Sequence, residues 1–525
     1  MPNNVAFYGS HNGALVFQHH DKFIVVEAER FAHNKNLGFV QYRLCKHPRF
    51  VMEEILRFVE NEYDIKNDFD TCIYTNTDVI YGQEKFFFEK YLNAKKHLCC
   101  LHHRAHASGT FYQSPFKEAL IFSFDGGGSD GFFNVYTATR PGGVVEIKRH
   151  NLDLGFAYMI FGHYIDDISF ERDLNIGNLV YSGKLMGLCG YGSVKPEWLP
   201  QFEHFYRSKP DGLNYKDLIK TLGDQIGIIF DTDNRVKDQL GRDIAATSQQ
   251  AFENVFFHAV QPYIDLHPDL PICVTGGCAL NVVLNTKLKH KVRTDVFVAP
   301  NSNDCGIAFG MMMDLLKPAD AVDITYAGIP ILDKYCLSEL IESRWSVPAD
   351  ISTVADKLQA GNIIGVIRGN SEHGPRALGN RSILCNPSIP NMKDTLNSKV
   401  KHREWFRPFA PVVRLEDVSE YFEFEGESRF MSFYAPVRPE WREKLSSITH
   451  VDGTARLQTI TREQNEWMYD LLTHFKAKTG VGVLLNTSFN VNGKPLLTTY
   501  KDALNMLDTT GLDYILTEQF LISKR

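Results

Sequence analysis

No two cysteines in this sequence have the C-x-x-C spacing of a zinc ribbon or a thioredoxin-like redox centre, although ten cysteines are present. Scattered thiols of this kind fit a reducing compartment, and a cytoplasmic protein is expected. No apolar run approaches the roughly 18 residues that suggest a membrane span. The opening residues, MPNNVAFYGSHNGALVF, lack a basic stretch followed by an apolar one and do not read as a secretory leader. Positive charge is not in excess. With 56 Lys and Arg against 63 Asp and Glu, the net charge is -7, which is no footprint for gripping a nucleic-acid backbone. Internal repeats and low-complexity tracts are also missing.

What is present is a globular composition, 44% hydrophobic and 23% charged, over 525 residues. That length exceeds one typical core, so two or three domains are expected. The first segment reads as short strands, Val5–Tyr8, Ala14–Phe17 and Phe23–Glu27, separated by turn residues. Helices are predicted around Phe50–Glu62 and Gln83–Lys95. Strands then follow at Ala119–Phe124, Phe132–Thr137 and Val144–Arg149. Phe252, Val255, Phe256, Ala259 and Tyr263 share one helical face and predict a helix over 245–266. Strand Leu270–Thr275 runs into Gly276-Gly277 and a helix from Ala279. Strand Thr294–Val298 precedes PNSNDCG and a helix starting near Gly306. Residues 326–350, with Pro330 and Pro348, read as a connector. Beyond it an α/β pattern resumes with a helix at 351–359 and a strand at Ile363–Ile367.

Several motifs carry chemistry. His102 and His106 in HHRAH stand at i, i+4, where two imidazoles on one helical face can share a metal. Chance alone gives about 0.7 such pairs in this composition, so the spacing is no excess by itself. Asp125, ending a buried strand in FDGGG, and Asp304, in a similar turn, complete a set of two imidazoles and two carboxylates. That set suits a borderline divalent metal such as iron or zinc. The glycine turns FDGGGSDG and VTGGCALN expose backbone N–H groups beside helices, an arrangement that suits phosphates. Lys184, in YSGKLMGLCGYG, could reach one. His11, in the first turn, is a candidate general base.

The densest signal lies in GNSEHGPRALGNRSILCNPS and LNSKVKHREWFRPFAPVV. There Arg376, Arg381, Arg403 and Arg407 stand among Gly, Pro and aromatic residues rather than the Lys, Glu and Ser of solvated loops. Guanidinium groups grip phosphate or carboxylate in a bidentate way, and an anion site is expected. Downstream, THVDGTARLQT (His450, Asp452, Arg456, Gln458) and LLNTSFNVNGKP (Asn486, Thr487, Ser488, Asn490) add donors that could orient a small polar substrate.

Together these segments resemble the NodU/CmcH family of O-carbamoyltransferases over essentially the whole chain. The marks are SHNGA, VEAERF at residues 26–31, HHRAHA, FDGGG, GKLMGL, GGCALN, GPRALGNRSIL, REWFRPFAP, THVDGTARLQT and NTSFN. The resemblance implies an α/β protein in two parts. Residues 1–325 would form a TsaD-like domain of the actin/hexokinase (ribonuclease H-like) type, and residues 351–525 a YrdC-like α/β domain. It implies that the second part makes carbamoyl-adenylate from carbamoyl phosphate and ATP, and that the first passes the carbamoyl group to an acceptor hydroxyl. Carried over position by position, the metal site falls on His102, His106, Asp125 and Asp304, with Fe2+ foremost and Zn2+ or Mn2+ as alternatives. Nucleotide contacts fall on Gly126, Gly127, Lys184, Gly276, Gly277 and Asn281, with Mg2+ accompanying ATP. Carbamoyl phosphate falls on Arg376, Arg407, Arg456, Ser488 and Asn490, and His11 lies beside the transfer site. The catalytic set implied is therefore His11, Lys184 and Arg376. The chain departs from the family pattern at Arg368–His373, where an arginine has moved and an aromatic has become His373, and at Asn386-Pro387-Ser388, which lacks the usual arginine.

Two other readings stay open. One is a threonylcarbamoyl-type tRNA-modifying enzyme, which the acidic balance and the REWFRPFAP run disfavour. The other is a non-catalytic nucleotide-binding regulator, disfavoured by the full metal set and the arginine cluster. Expected partners are carbamoyl phosphate, ATP and an alcohol acceptor, with no membrane and no tightly held nucleic acid. The acceptor, including a modified nucleotide, and the oligomeric state, including a homodimer, are left open.

Overall fold

The computed structural model describes residues 3–20, 22–39, 48–75, 89–168, 177–208 and 215–524. The chain divides into two compact units, one of Met1–Lys22 with Gly38–Asp323, the other of Phe23–Leu37 with Ile324–Arg525. Among the described residues no helix is long and apolar enough to cross a membrane, and the described cysteines are free thiols.

The first unit contains the same strand plan twice, which the sequence does not show as a repeat. Strand β1 (Asn4–Tyr8) pairs antiparallel with β2 (Ala14–His19) and parallel with β4 (Phe69–Tyr74); between β2 and β4 the chain forms β3 (Lys22–Glu27), which from Phe23 onward belongs to the second unit. Strand β4 in turn pairs parallel with β5 (Ala94–Cys99). In the second sheet β6 (Glu118–Gly128) pairs antiparallel with β7 (Gly131–Thr139), which carries β8 (Gly143–His150). On its other side β6 pairs parallel with β9 (Ile272–Thr275), and β9 with β10 (Val296–Val298). The central strands β1 and β6 are buried on both faces over Val5–Tyr8 and Ala119–Phe124 and are apolar there except for Ser123, as suits strands covered on both sides.

Helices flank these sheets. The helix expected at 245–266 starts earlier, at Asp238, and ends at Leu266. It runs through Gly241, where a Cβ would stand 3.1 Å from the Ile165 side chain, so the glycine serves close packing rather than a turn. The helix Pro48–Tyr63 covers the first expected helix. Of the second, positions 83–88 lie outside the described residues, and its C-terminal end is instead strand β5 from Ala94. Strand β5 has no buried residue and carries Lys95, Lys96 and His97 in a row, so it lacks the apolar alternation that would have marked it.

The second unit is built on one sheet in the order β11-β19-β18-β12-β13-β17-β14-β16-β15. These are β11 (Trp345–Pro348), β12 (Ile364–Ile367), β13 (Arg381–Cys385), β14 (Ala410–Arg414), β15 (Phe433–Pro436), β16 (Thr454–Ile460), β17 (Val483–Ser488), β18 (Tyr514–Leu516) and β19 (Phe520–Ser523). The helices Ile351–Gln359 and Glu466–Thr479 close its apolar core. The stretch 326–350, expected as a connector, supplies β11 and the helix Leu337–Ser343 to this unit. Its prolines stand at a strand end and in a loop, where a missing N–H is tolerated.

The segment Phe23–Leu37, which carries VEAERF, belongs to the second unit. Buried Arg30 pairs with Glu27 and donates to the carbonyls of Glu372 and Gly374. The Val25 N–H donates to Ala327 O at 2.9 Å, and the Thr498 hydroxyl donates to Arg30 O at 3.1 Å.

Candidate active site

In the first unit four polar side chains converge. His102 and His106 lie on the helix His102–Gln113, Asp125 at the end of β6, and Asp304 in the turn Asp304–Gly306 that opens the helix Ile307–Leu316. One ligand atom from each lies within 4.8 Å of all the others. The His106 Nε2 stands 3.3 Å from Asp125 Oδ2 and 3.4 Å from Asp304 Oδ1, and the His102 Nε2 stands 3.7 Å from Asp304 Oδ1. Both imidazoles are buried, yet neither nitrogen of His102 nor Nε2 of His106 makes a hydrogen bond. Buried polar atoms without partners are costly, and a cation at their centre would satisfy them. The residues therefore fit a divalent metal.

The electrostatics agree. Burial pushes His102 down to about 4, into the neutral form that ligates metal. Burial also acts to lower His106, but the Asp125 and Asp304 carboxylates outweigh it and raise the imidazole to about 9. Burial would raise Asp304, yet His11, His102 and His106 hold it well below the usual carboxylate range. The two carboxylates thus call for positive charge at this point.

His103, between the two, plays another part. Its ring contacts Ser123 Oγ at 2.8 Å and Gly131 O at 3.0 Å, tying the helix to the sheet. Glycines set the approach of the other elements. A Cβ on Gly128 would stand 2.5 Å from the His102 ring, and one on Gly310 would stand 1.9 Å from Ala105 O. The helix bearing the histidines and the helix following Asp304 therefore meet at Gly310 with no room to spare. Gly310→Ala is expected to lower stability by about 1–3 kcal/mol through overpacking, more than the roughly 1 kcal/mol of added helix propensity. Separating the helices also separates His106 from Asp304, so thermal melts and a divalent-cation titration should both report the change.

The glycine turns hold Asp125 rather than leaving their N–H groups open. The Gly126 N–H donates to Asp125 Oδ1 and the Gly277 N–H to Asp125 Oδ2, both at 2.6 Å. Gly276 takes φ +88° with its Cα against Phe124 O, a place where no side chain fits. The Asn281 side chain caps the helix Val282–Lys291 by accepting from Leu284 N–H, and it exchanges hydrogen bonds with Gln249. Lys184 is buried on the helix Tyr181–Leu188, with its ammonium toward Ile168 O at 3.4 Å and the Tyr181 ring. Gly127 takes φ +140° in the turn after Asp125. His11 is partly exposed, its Nε2 3.4 Å from Asp304 Oδ2.

In the second unit Arg376, Arg403, Arg407 and Arg456 gather with Lys401. Burial first, and then Arg376, Arg403 and Arg407, push Arg456 well below its usual value. Burial and Arg407 bring Arg376 down to about 10, and Arg403 falls for the same two reasons. Arg407 pairs with Glu404 at 3.3 Å, and Arg403 donates to Asn397 and stacks on Phe409. Arg456 Nε is buried without a hydrogen-bond partner. Arg381 is not part of this group. It is fully buried at the start of β13 and donates to the carbonyls of Arg368, Gly369 and Asn380, so it builds the loop instead of facing a ligand. The same loop is fixed by Glu372, whose Oε1 accepts from the N–H groups of Leu378, Asn380 and Arg381.

Lys401 is the residue that sequence reasoning missed. Its buried ammonium donates to Ser488 O, Asn490 O and Asn490 Oδ1, each at 2.6 Å, and lies 3.1 Å from Ser488 Oγ. Ser488 and Asn490, expected on the substrate, are thus joined through it. Burial and the neighbouring Arg403 and Arg407 hold its pKa well below the ordinary lysine value. The only signal in the sequence is a lysine between Val400 and His402 in a segment otherwise noted for arginine. Of THVDGTARLQT, Gln458 turns inward, donating to Leu378 O and accepting from Asn486, while His450 pairs with Asp452 at 3.4 Å.

Residues 21–313 match the family model described as carbamoyltransferase N-terminus, and residues 355–524 match the one described as carbamoyltransferase C-terminus. The chain belongs to the carbamoyltransferase family. This carbamoyltransferase is 36% identical over 445 residues to nodulation protein NolO of Bradyrhizobium diazoefficiens, covering 81% of its own length and 79% of the relative's. It is 38% identical over 250 residues to the 3'-hydroxymethylcephem-O-carbamoyltransferase of Streptomyces clavuligerus, covering 45% and 46% of the two chains. Among solved structures, full-length HypF in its phosphate- and nucleotide-bound form is similar at 14% identity and a TM-score of 0.37, over 60% of this chain and 46% of that one.

Proposed function

We propose that this carbamoyltransferase uses ATP and carbamoyl phosphate to form carbamoyl-adenylate, and then carries the carbamoyl group to an alcohol. The observation that carries the reading is the crowd of like charge around Arg456. Four arginines and a lysine held together at the cost of burial and mutual repulsion need an anion to neutralise them, and a phosphate group is one that guanidinium groups grip in a bidentate way. In this reading the second unit is the YrdC-like activating part. Arg376, Arg407 and Arg456 take the phosphate of carbamoyl phosphate, and Lys401 holds Ser488 and Asn490 in register beside it. Water cleaves carbamoyl phosphate to carbamate and inorganic phosphate, and a carbamate oxygen then attacks the α-phosphorus of ATP, expelling pyrophosphate as the mixed anhydride with AMP forms.

The first unit is then the TsaD-like transferring part. His102, His106, Asp125 and Asp304 would hold a divalent cation, with Fe2+ favoured by the nitrogen and oxygen donor set. When bound, it would supply positive charge to the phosphate of the leaving AMP. His11, partly exposed with its Nε2 3.4 Å from Asp304 Oδ2, accepts the proton of the acceptor hydroxyl as the new C–O bond forms. Asp304 stabilises the charge His11 gains. Lys184 and the glycine turns remain the proposed nucleotide contacts, through those donors that Asp125 does not take.

The test is incubation of the full chain with ATP, carbamoyl phosphate and a panel of alcohols, including sugars and hydroxymethylated nucleosides. Expected are AMP, pyrophosphate and an acceptor heavier by one carbamoyl group in the mass spectrum. If carbamoyl phosphate disappears without AMP formation, the adenylate is wrong.

A further inference from the structure

The Asp304 carboxylate is used on both sides. Its Oδ1 faces His106 at 3.4 Å and His102 at 3.7 Å. Its Oδ2 accepts from the Tyr8 hydroxyl at 2.5 Å and faces His11 Nε2 at 3.4 Å. Tyr8 ends β1, is 1% exposed, and lays its ring edge-on to His102 with centroids 6.3 Å apart. One phenol therefore touches two of the four proposed ligands. It also ends the strand that leads into the turn carrying His11.

We infer that Tyr8 is a positioning residue for the cation site. Rotation of a carboxylate about its Cβ–Cγ bond exchanges its two oxygens, and nothing in the charges of His102 and His106 fixes which one faces them. The Tyr8 hydroxyl is a donor of fixed position. By taking Oδ2 it reserves Oδ1 for the cation, and its ring sets the tilt of the His102 imidazole. Groups that orient a ligand in this way are worth about 10–100-fold in metal affinity. Because His11 approaches the same Oδ2, Tyr8 also keeps the His11 side of Asp304 distinct from the cation side. The inference rests on the cation-site reading above.

The experiment is equilibrium binding of Mn2+ to the metal-free full chain, following free Mn2+ by electron paramagnetic resonance. Wild type, Tyr8→Phe and Asp304→Asn are compared, with the thermal midpoint of each metal-free protein. Tyr8→Phe keeps the ring and loses only the donor. It is expected to bind Mn2+ about 10–100-fold more weakly while its metal-free midpoint stays close to wild type. Mn2+ affinity equal to wild type would overturn the inference, whatever happens to the midpoint. If wild type binds no Mn2+, or Asp304→Asn binds it as well as wild type does, the cation site itself is wrong; a loss confined to Asp304→Asn sinks only the role of Tyr8.

Discussion

Asp304→Ala is expected to form carbamoyl-adenylate at the wild-type rate and to transfer the carbamoyl group at least about a thousandfold more slowly. The substitution removes the carboxylate that His102 and His106 both face, and with it the anion that stands 3.4 Å from His11. A bound cation contributes several kcal/mol of charge stabilisation in reactions of this type, and each 1.36 kcal/mol is tenfold in rate. The Arg456 cluster lies in the other unit and keeps all its groups. Partial reactions measured separately, ATP–pyrophosphate exchange against product formation, distinguish the two halves. Equal loss of both would mean that Asp304 serves folding or activation, and wild-type transfer would remove the cation from the reaction.

Arg456→Met should change two quantities in opposite directions. Activation of carbamoyl phosphate is expected to fall at least about a hundredfold, because a charge-assisted bond to phosphate is lost from a site where burial strengthens it. The ligand-free protein is expected to gain about 1 kcal/mol, raising its melting midpoint by roughly 2–4 °C. The gain follows from the positive charges already there. Burial and the charges of Arg376, Arg403 and Arg407 all disfavour the Arg456 cation, and Nε has no partner. Removing one cation relieves the rest, while methionine keeps most of the packing. Inorganic phosphate provides the control. At a hundred times its dissociation constant it should stabilise wild type by about 2.7 kcal/mol and the variant much less. A variant that melts lower and still responds to phosphate would show that Arg456 serves the sheet and not an anion.

Local pattern revealed much of the candidate site. The i, i+4 spacing of His102 and His106 survives into the structure because both lie on one regular helix, where spacing alone decides the face. Asp125 and Asp304 were recognisable because each ends or follows an apolar strand, and such strands deliver their last polar residue to the edge of the sheet. Side-chain direction was harder to read. His103, Arg381 and Gln458 sit among candidate site residues in sequence and turn inward, since one position reverses a side chain's direction on a strand and turns it by about 100° on a helix. Lys401 was overlooked for the converse reason, because nothing local tells a buried lysine from a solvated one.

The family resemblance, the α/β class, the histidine pair and the arginine-rich loop were determined by the sequence itself, because each depends on residue types at short, fixed separations. The tertiary structure alone decided that Phe23–Leu37 folds with the second unit, where Arg30 ties it to Glu372 and Gly374. It alone showed that the Gly126 and Gly277 N–H groups hold Asp125, and that Tyr8 reaches Asp304. These contacts join residues up to hundreds of positions apart. Which donor meets which acceptor across such distances depends on how sheets and helices pack, and no local pattern carries that information.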